Sequence, residues 1–291
     1  MALVWQTICE RILTQKLAEN VFIKSFFPVS GGCINQCYVV TTSYGKFFLK
    51  LNSGAYPKMF ETEKKGLELL NHAVTGIAPD SIGIDEKNDQ IQLLVLECIE
   101  TAKPAYDFWD DFAKKLSVIH QSTGEFFGLD HNNYIGSLLQ NNDPLPDWNS
   151  FFITRRIEPQ LRMAIDQKSI EKDATPYFER LYPRLSEIFP IEKPSLIHGD
   201  LWSGNFMTGK DGYVKLIDPA VYFGHRETDL AMSKLFGGFS NKFYESYQQY
   251  APLEQGFEKR KDVYNLYPLL VHVNLFGGNY SQQVMSIIKK F

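Results

Sequence analysis

The stretch Leu196–Asp218, LIHGDLWSGNFMTGKDGYVKLID, holds three polar residues in an order that suits phosphoryl transfer. Asp200 follows His198-Gly199, Asn205 lies five residues on, and Asp218 ends an apolar run thirteen residues later. A hydroxyl that attacks a phosphate needs a carboxylate to receive its proton, and Asp200 can do this. Mg2+ on the phosphates needs an amide and a carboxylate, and Asn205 and Asp218 are of those types. Taken singly, Asp200 or Asn205 would be read as a turn residue. All three in order, with a hydrophobic strand before each Asp, point to the catalytic loop and metal carboxylate of a kinase.

The remaining parts of such a site are sought upstream. Lys50 closes the apolar run Lys46–Leu49 and stands thirteen residues before Glu63, on a segment with helical spacing. A strand lysine paired with a helix glutamate would steady the α- and β-phosphates of ATP. Glu61 competes with Glu63 for the partner role. Ser30-Gly31-Gly32-Cys33-Ile34-Asn35 lies between the first two strand-like runs, where the amides of Gly31 and Gly32 could cradle phosphates. A Gly-Gly pair is also an ordinary hairpin turn. Leu94–Ile99 leads into a hinge where backbone groups of Glu97 and Ile99 could meet adenine, an assignment by position.

These residues need two kinds of scaffold. In the first hundred, Val4, Trp5, Ile8, Ile12 and Leu17 recur at helical spacing, and strands are predicted at 21–29, 37–42, 46–51 and 91–99. A helix is predicted around 60–71. From about 105 the pattern turns helical: Phe108, Trp109, Phe112, Ala113, Leu116 and Ile119 form one apolar face. Two further helices are expected at 152–165 and 177–188, then a β interlude at 196–217, and helices again from Asp229, taken as an N-cap. The expected class is α+β, with an N-terminal nucleotide-binding lobe over 1–100. A larger helical lobe over 101–291 would carry the catalytic loop and the substrate site, with the hinge at 100–104.

Composition narrows the partners. The 291 residues include 30 basic and 34 acidic side chains, a net charge of −4, which gives no electrostatic footprint for nucleic acid. No Lys/Arg cluster suits an anionic membrane. The N-terminal residues do not read as a signal peptide, so a cytoplasmic location is expected. Val263–Ile288 lacks Asp, Glu, Lys and Arg, but Pro268, His272, Asn274 and Gly277-Gly278 argue for a buried helix pair with a Gly-rich break. Cys9, Cys33, Cys37 and Cys98 form no CxxC pair, so zinc is not expected, and free thiols fit a reducing compartment. Cys33 is the redox candidate, because amides converging on an anion, and Lys50 if near, would favour its thiolate. An extended stretch would hold Cys37 about 13 Å away, too far for a disulfide. Oxidation would then cap Cys33 or join two copies of an otherwise monomeric chain.

The longer motifs carry a family resemblance. LIHGDLWSGN, IDPAVYFGHRETDLAM and KLFGGF resemble the fructosamine kinase family, and FLKLNSGAYPKMFETE, GLDHNNYIGSLLQNND and HVNLFGGNY extend the likeness along nearly the whole chain. The resemblance implies a protein-kinase-like two-lobe fold. The implied activity is ATP- and Mg2+-dependent phosphorylation of the 3-hydroxyl of a sugar held as a ketoamine on an amine, often a protein lysine, after which the adduct falls apart. It implies Asp200 as base, Asn205 and Asp218 as metal ligands, and Lys50 as the phosphate-binding lysine. Trp202 matches a substrate-lining position, where an indole face suits a sugar or a cationic amine; a core aromatic is the alternative. His272 and Asn274 face the substrate or form a satisfied core pair. The HGDxxxxN…D frame is shared with aminoglycoside and choline kinases, which gives the alternative of another small-molecule kinase. A non-catalytic nucleotide-binding module is disfavoured by the presence of Lys50, Asp200, Asn205 and Asp218. Only ten residues separate Asp218 from Asp229, too few for a peptide-docking activation segment.

Overall fold

The structure, a computed structural model, describes residues 2–29, 35–86 and 91–291. The chain divides into two units, one comprising the residues up to Phe108 with Phe206–Asp218, the other Trp109–Asn205 with Pro219–Phe291.

The first unit is built on an antiparallel sheet of β1 (Ile23–Val29), β2 (Gln36–Thr42), β3 (Gly45–Asn52), β4 (Ser81–Asp85) and β5 (Gln92–Glu97), in the order β1-β2-β3-β5-β4. Helix α1 (Ala2–Leu17) buries Trp5, Cys9, Ile12 and Leu13 against Phe47, Leu49 and Leu51 of β3 and Leu93 and Val95 of β5. Side chains alternate along a strand, so Lys50, between Leu49 and Leu51, turns to the opposite face. Helix α2 (Met59–Ala73) contacts β4 and β5. The hairpin of β9 (Phe206–Thr208) and β10 (Val214–Leu216) also belongs to this unit. The Leu216 amide donates to the Ile77 carbonyl at 2.7 Å, and the Lys215 ammonium to that of Gly76 at 2.5 Å.

The second unit is mostly helical. Helix α3 (Phe108–Gln121) supplies Phe112, Leu116 and Ile119 to a core with Phe243 and Tyr247 of α9 (Asn241–Tyr250). The short hairpin of β6 (Asn133–Ile135) with β7 (Leu138–Gln140), and the antiparallel pair of β8 (Ser195–Ile197) with β11 (Tyr222–Gly224), brace it. The expected single helix at 152–165 is instead α4 (Trp148–Phe151), a π-helical turn Phe152–Ile157, and α5 (Glu158–Asp166). Pro159 has no N–H to return to Arg155, and the widened turn before it buries Phe152, Arg156 and Ile157 together. Pro183 has the same kind of effect downstream. There α6 (Thr175–Leu181) and α7 (Leu185–Ile188) are joined by a 3-10 turn, Tyr182–Arg184. Helix α8 (Glu227–Leu235) starts two residues before Asp229, followed later by α10 (Phe257–Tyr264). At the C-terminus α11 (Leu266–Phe276) and α12 (Tyr280–Ile288) flank Gly277-Gly278, and among the described residues no helix is long and apolar enough to cross a membrane.

Candidate active site

The candidate residues form two groups, one in each unit. In the first, the Lys50 ammonium donates to Glu63 Oε1 on α2 at 2.5 Å and also to the Asp218 carboxylate. Glu61, two residues from Glu63 and so some 200° around the helix, pairs with Lys65 at 2.8 Å instead. Burial alone would lower the Lys50 pKa, but Asp218 and Glu63 outweigh it and hold the lysine above its ordinary value. The cation is therefore kept charged while almost out of water. Its Asp218 partner is half exposed and sits at φ 53°, a left-handed conformation that strains a residue with a Cβ.

In the second unit, one buried carboxylate organises the catalytic loop. Asp229 accepts the His198 amide at 2.7 Å and the Gly199 amide at 2.9 Å, and its Oδ2 lies 3.2 Å from His120 Nε2. The other His120 nitrogen meets the Tyr247 hydroxyl at 2.7 Å. Asp229 is thus a brace, and not the N-cap its position suggests: α8 has already begun, and the carboxylate reaches the loop's donors. Gly199 has φ +81°, and a Cβ there would lie 2.1 Å from the Ala220 carbonyl oxygen. Only glycine fits. Asp200 follows, with its Oδ2 and its backbone carbonyl each 2.8 Å from Asn205 Nδ2. Two acceptors fix that amide's orientation, which leaves Asn205 Oδ1 to meet a cation. Trp202 lies over Gly204, where a Cβ would meet the indole at 2.3 Å, and its ring centroid is 6.0 Å from that of Phe236. His272 is half-buried and its ring packs on Phe236 at 4.8 Å. Asn274 does not pair with it: the amide donates to Gln160, at 3.0 Å to the carbonyl and 2.7 Å to Oε1.

Of the remaining candidates, Glu97 ends β5 with its amide donating to the Asp80 carbonyl at 2.9 Å, and Ile99 lies just beyond, half-buried. Gly31, Gly32 and Cys33 lie outside the described residues. Among the described residues no three His, Cys, Asp or Glu side chains group as a metal cluster. Mg2+ against phosphates needs only one or two protein oxygens, and the Asp218 carboxylate in the first unit and the Asn205 amide oxygen in the second are each of a type that can supply one. His120 and Tyr247 had escaped the sequence reading. A histidine ending the apolar face of α3 was the available signal, but its partners come from far along the chain.

The profile of the family described as fructosamine kinase matches residues 4–291. A Synechocystis sp. protein named as a probable ketoamine kinase is 37% identical over 287 residues, covering 98% of this chain and 96% of that protein. The chloroplastic protein-ribulosamine 3-kinase of Arabidopsis thaliana is 35% identical, covering 98% of this chain and 87% of its own. The crystal structure of a Haemophilus somnus protein assigned as a fructosamine-3-kinase superposes with a TM-score of 0.88 at 30% identity, over 97% of this chain and 96% of that one. Choline kinase LicA of Streptococcus pneumoniae, 18% identical with a TM-score of 0.65 over 99% of both chains, shares the α+β kinase-like fold.

Proposed function

Because this chain belongs to the fructosamine kinase family, we propose that it is an ATP-dependent kinase of ketosamines, phosphorylating the sugar 3-hydroxyl of a ketoamine adduct. The observation that carries this reading is the Lys50 ammonium held by both Glu63 and Asp218, a buried cation suited to phosphate oxygens. Asp200 accepts the proton of the attacking hydroxyl, and Asn205 fixes the carboxylate through its 2.8 Å hydrogen bond. Asp218 and Asn205 Oδ1 would hold Mg2+, which when bound neutralises charge on the phosphates. Asp229 keeps the His198–Gly199 backbone in place, so that Asp200 is oriented before substrate arrives. The amides of Gly31 and Gly32 would cover the phosphates, and backbone groups at Glu97 and Ile99 would meet adenine. Trp202 and His272 would line the substrate. In this reading residues 1–100 supply the nucleotide-binding lobe and 101–291 the catalytic loop and substrate site, in a monomeric enzyme.

The names of the relatives, a ketoamine kinase and a protein-ribulosamine 3-kinase, support the substrate class. The test is a competition with MgATP between fructosyl-lysine, ribulosyl-lysine, choline, an aminoglycoside and free sugars. The highest kcat/KM is expected for one of the two ketosamines. A higher value for choline or the aminoglycoside would make the chain a different small-molecule kinase.

A further inference from the structure

The motif Gly128–Asp143, GLDHNNYIGSLLQNND, supplies none of the reacting groups, yet it buries three amide side chains, Asn133, Gln140 and Asn142. Beside them the π-helical turn Phe152–Ile157 buries Arg156. These four side chains and Tyr267 of α11 are each 3% exposed or less, so no bulk water competes for their hydrogen bonds. Among the described residues no carboxylate pairs with Arg156, whereas Arg260, also buried, is held by Glu227. A buried guanidinium without a counter-ion is costly. Here it lies 3.9 Å from the centroid of the Tyr222 ring and donates to the Asn141 carbonyl at 2.5 Å and to Asn142 Oδ1 at 2.6 Å.

That cation fixes the direction of the bonds that follow. A guanidinium only donates, so Asn142 must face it with Oδ1 and point Nδ2 away. Asn142 Nδ2 donates to Asn133 Oδ1 at 2.8 Å, and Asn133 Nδ2 donates onward to the Val221 carbonyl at 2.8 Å. Gln140 Nε2 donates to the same Asn133 oxygen at 2.8 Å and to the Ala220 carbonyl at 3.1 Å, while its Oε1 accepts the Tyr267 hydroxyl at 2.7 Å. The donors therefore all run one way and end on two successive backbone carbonyls. The first of these bears on the catalytic loop. The Ala220 oxygen is the atom that a Cβ on Gly199 would meet at 2.1 Å, and the Ala220 amide donates to the His198 carbonyl at 2.9 Å.

We propose that Gln140 and Asn133 are positioning residues for the reaction: they hold Ala220 and Val221 so that the Gly199 turn keeps Asp200 aimed at the substrate hydroxyl, with Arg156 setting the polarity of the network. This rests on the reading of Asp200 as the base and adds to it what keeps that base in place. In a dry interior such bonds polarise one another, and a shift of about 1 Å at a reacting group can cost on the order of 10²-fold in rate.

The test replaces Gln140 by Leu and, separately, Asn133 by Leu. Leu185→Ala on α7 is the comparison, a core variant that removes none of these bonds. Thermal melts fix one assay temperature below every transition. With a fructosyl-amine and MgATP, each amide variant should lower kcat about 10–100-fold with KM for both substrates nearly unchanged. Leu185→Ala should lower Tm and keep kcat. Near-normal kcat in either amide variant, a loss carried by KM instead, or an equal loss of kcat in Leu185→Ala would overturn the proposal. If neither amide variant folds, Tyr267→Phe, which deletes only the donor to Gln140, decides it: a kcat at least about threefold lower supports the network, and an unchanged kcat rejects it. If wild type phosphorylates no ketosamine, the ketosamine reading falls, and amide hydrogen exchange judges the network by itself. Faster exchange at 198–200 and 220–222 in Gln140→Leu or Tyr267→Phe, with the α3 amides unchanged, supports it. Unchanged exchange at those residues, or an equal rise in α3, rejects it.

Discussion

Replacing Asp200 by Asn removes a proton acceptor while keeping the size and planarity of the side chain that Asn205 holds at 2.8 Å. The expected result is a kcat about 10²–10⁴-fold lower, with ATP affinity nearly unchanged; near-normal turnover would take Asp200 out of the mechanism. Asp218→Ala should behave differently, impairing Mg-nucleotide binding and turnover together, because the carboxylate proposed to hold Mg2+ also partners Lys50. Asn205→Ala should do the same more mildly, since an amide brings no charge. Mg2+ titrations of turnover separate these cases: curves for both variants that overlay wild type would show that neither residue is a ligand. The candidate residues stand out in the sequence because residue type and spacing single them out, and the variants above test the roles proposed for them. Which of Glu61 and Glu63 meets Lys50 was left open there, and the phase of α2 decides it.

At the scale of elements, the catalytic loop is a turn clamped on two sides, by the Asp229 carboxylate beneath its amides and by the Ala220 carbonyl against Gly199. Gly199→Ala should therefore lower kcat by at least about tenfold and lower Tm, since strain of this kind costs on the order of 1–3 kcal/mol. Wild-type kcat with a changed Tm alone would show that the loop tolerates the shift. The helices α1, α2 and α3 and strand β3 were readable from pattern because each buries one face, whereas β1, exposed along most of its length, and β2 were readable from their β-branched and aromatic residues. The hairpin β9–β10 was readable as strand, but its place in the N-terminal unit was not: that depends on pairing with Gly76 and Ile77, far away in sequence. Strand β4 (SIGID) is short and only partly buried along its length, so it gave little alternation to read. The π-helical turn before Pro159 was hidden for another reason. Its register shift leaves the hydrophobic spacing close to that of a plain helix.

For the molecule as a whole, stability should fall in mild acid through His225, which stacks on Trp148 at 4.5 Å and shares a hydrogen bond of 2.9 Å with Tyr264. Burial, reinforced by Arg260, pushes its pKa down to about 3. Above the ordinary histidine value of 6.5 the ring is neutral whether the chain is folded or not. Below it the unfolded chain binds a proton that the fold refuses, so this residue's effect is a loss of stability from about pH 6.5 toward pH 3. Between pH 7 and pH 5 the loss is about 2 kcal/mol. Urea unfolding at the two pH values should show a drop smaller by that amount in His225→Phe, and identical drops would mean that His225 titrates normally in the fold. If the chain works as a ketosamine 3-kinase, fructosyl-lysine incubated with the enzyme and MgATP and followed by 31P and 13C NMR should gain a phosphate on the sugar C3 oxygen, and none with Asp200→Asn. A phosphate on any other oxygen, or no transfer by wild type to this or to a ribulosyl adduct, would contradict that function.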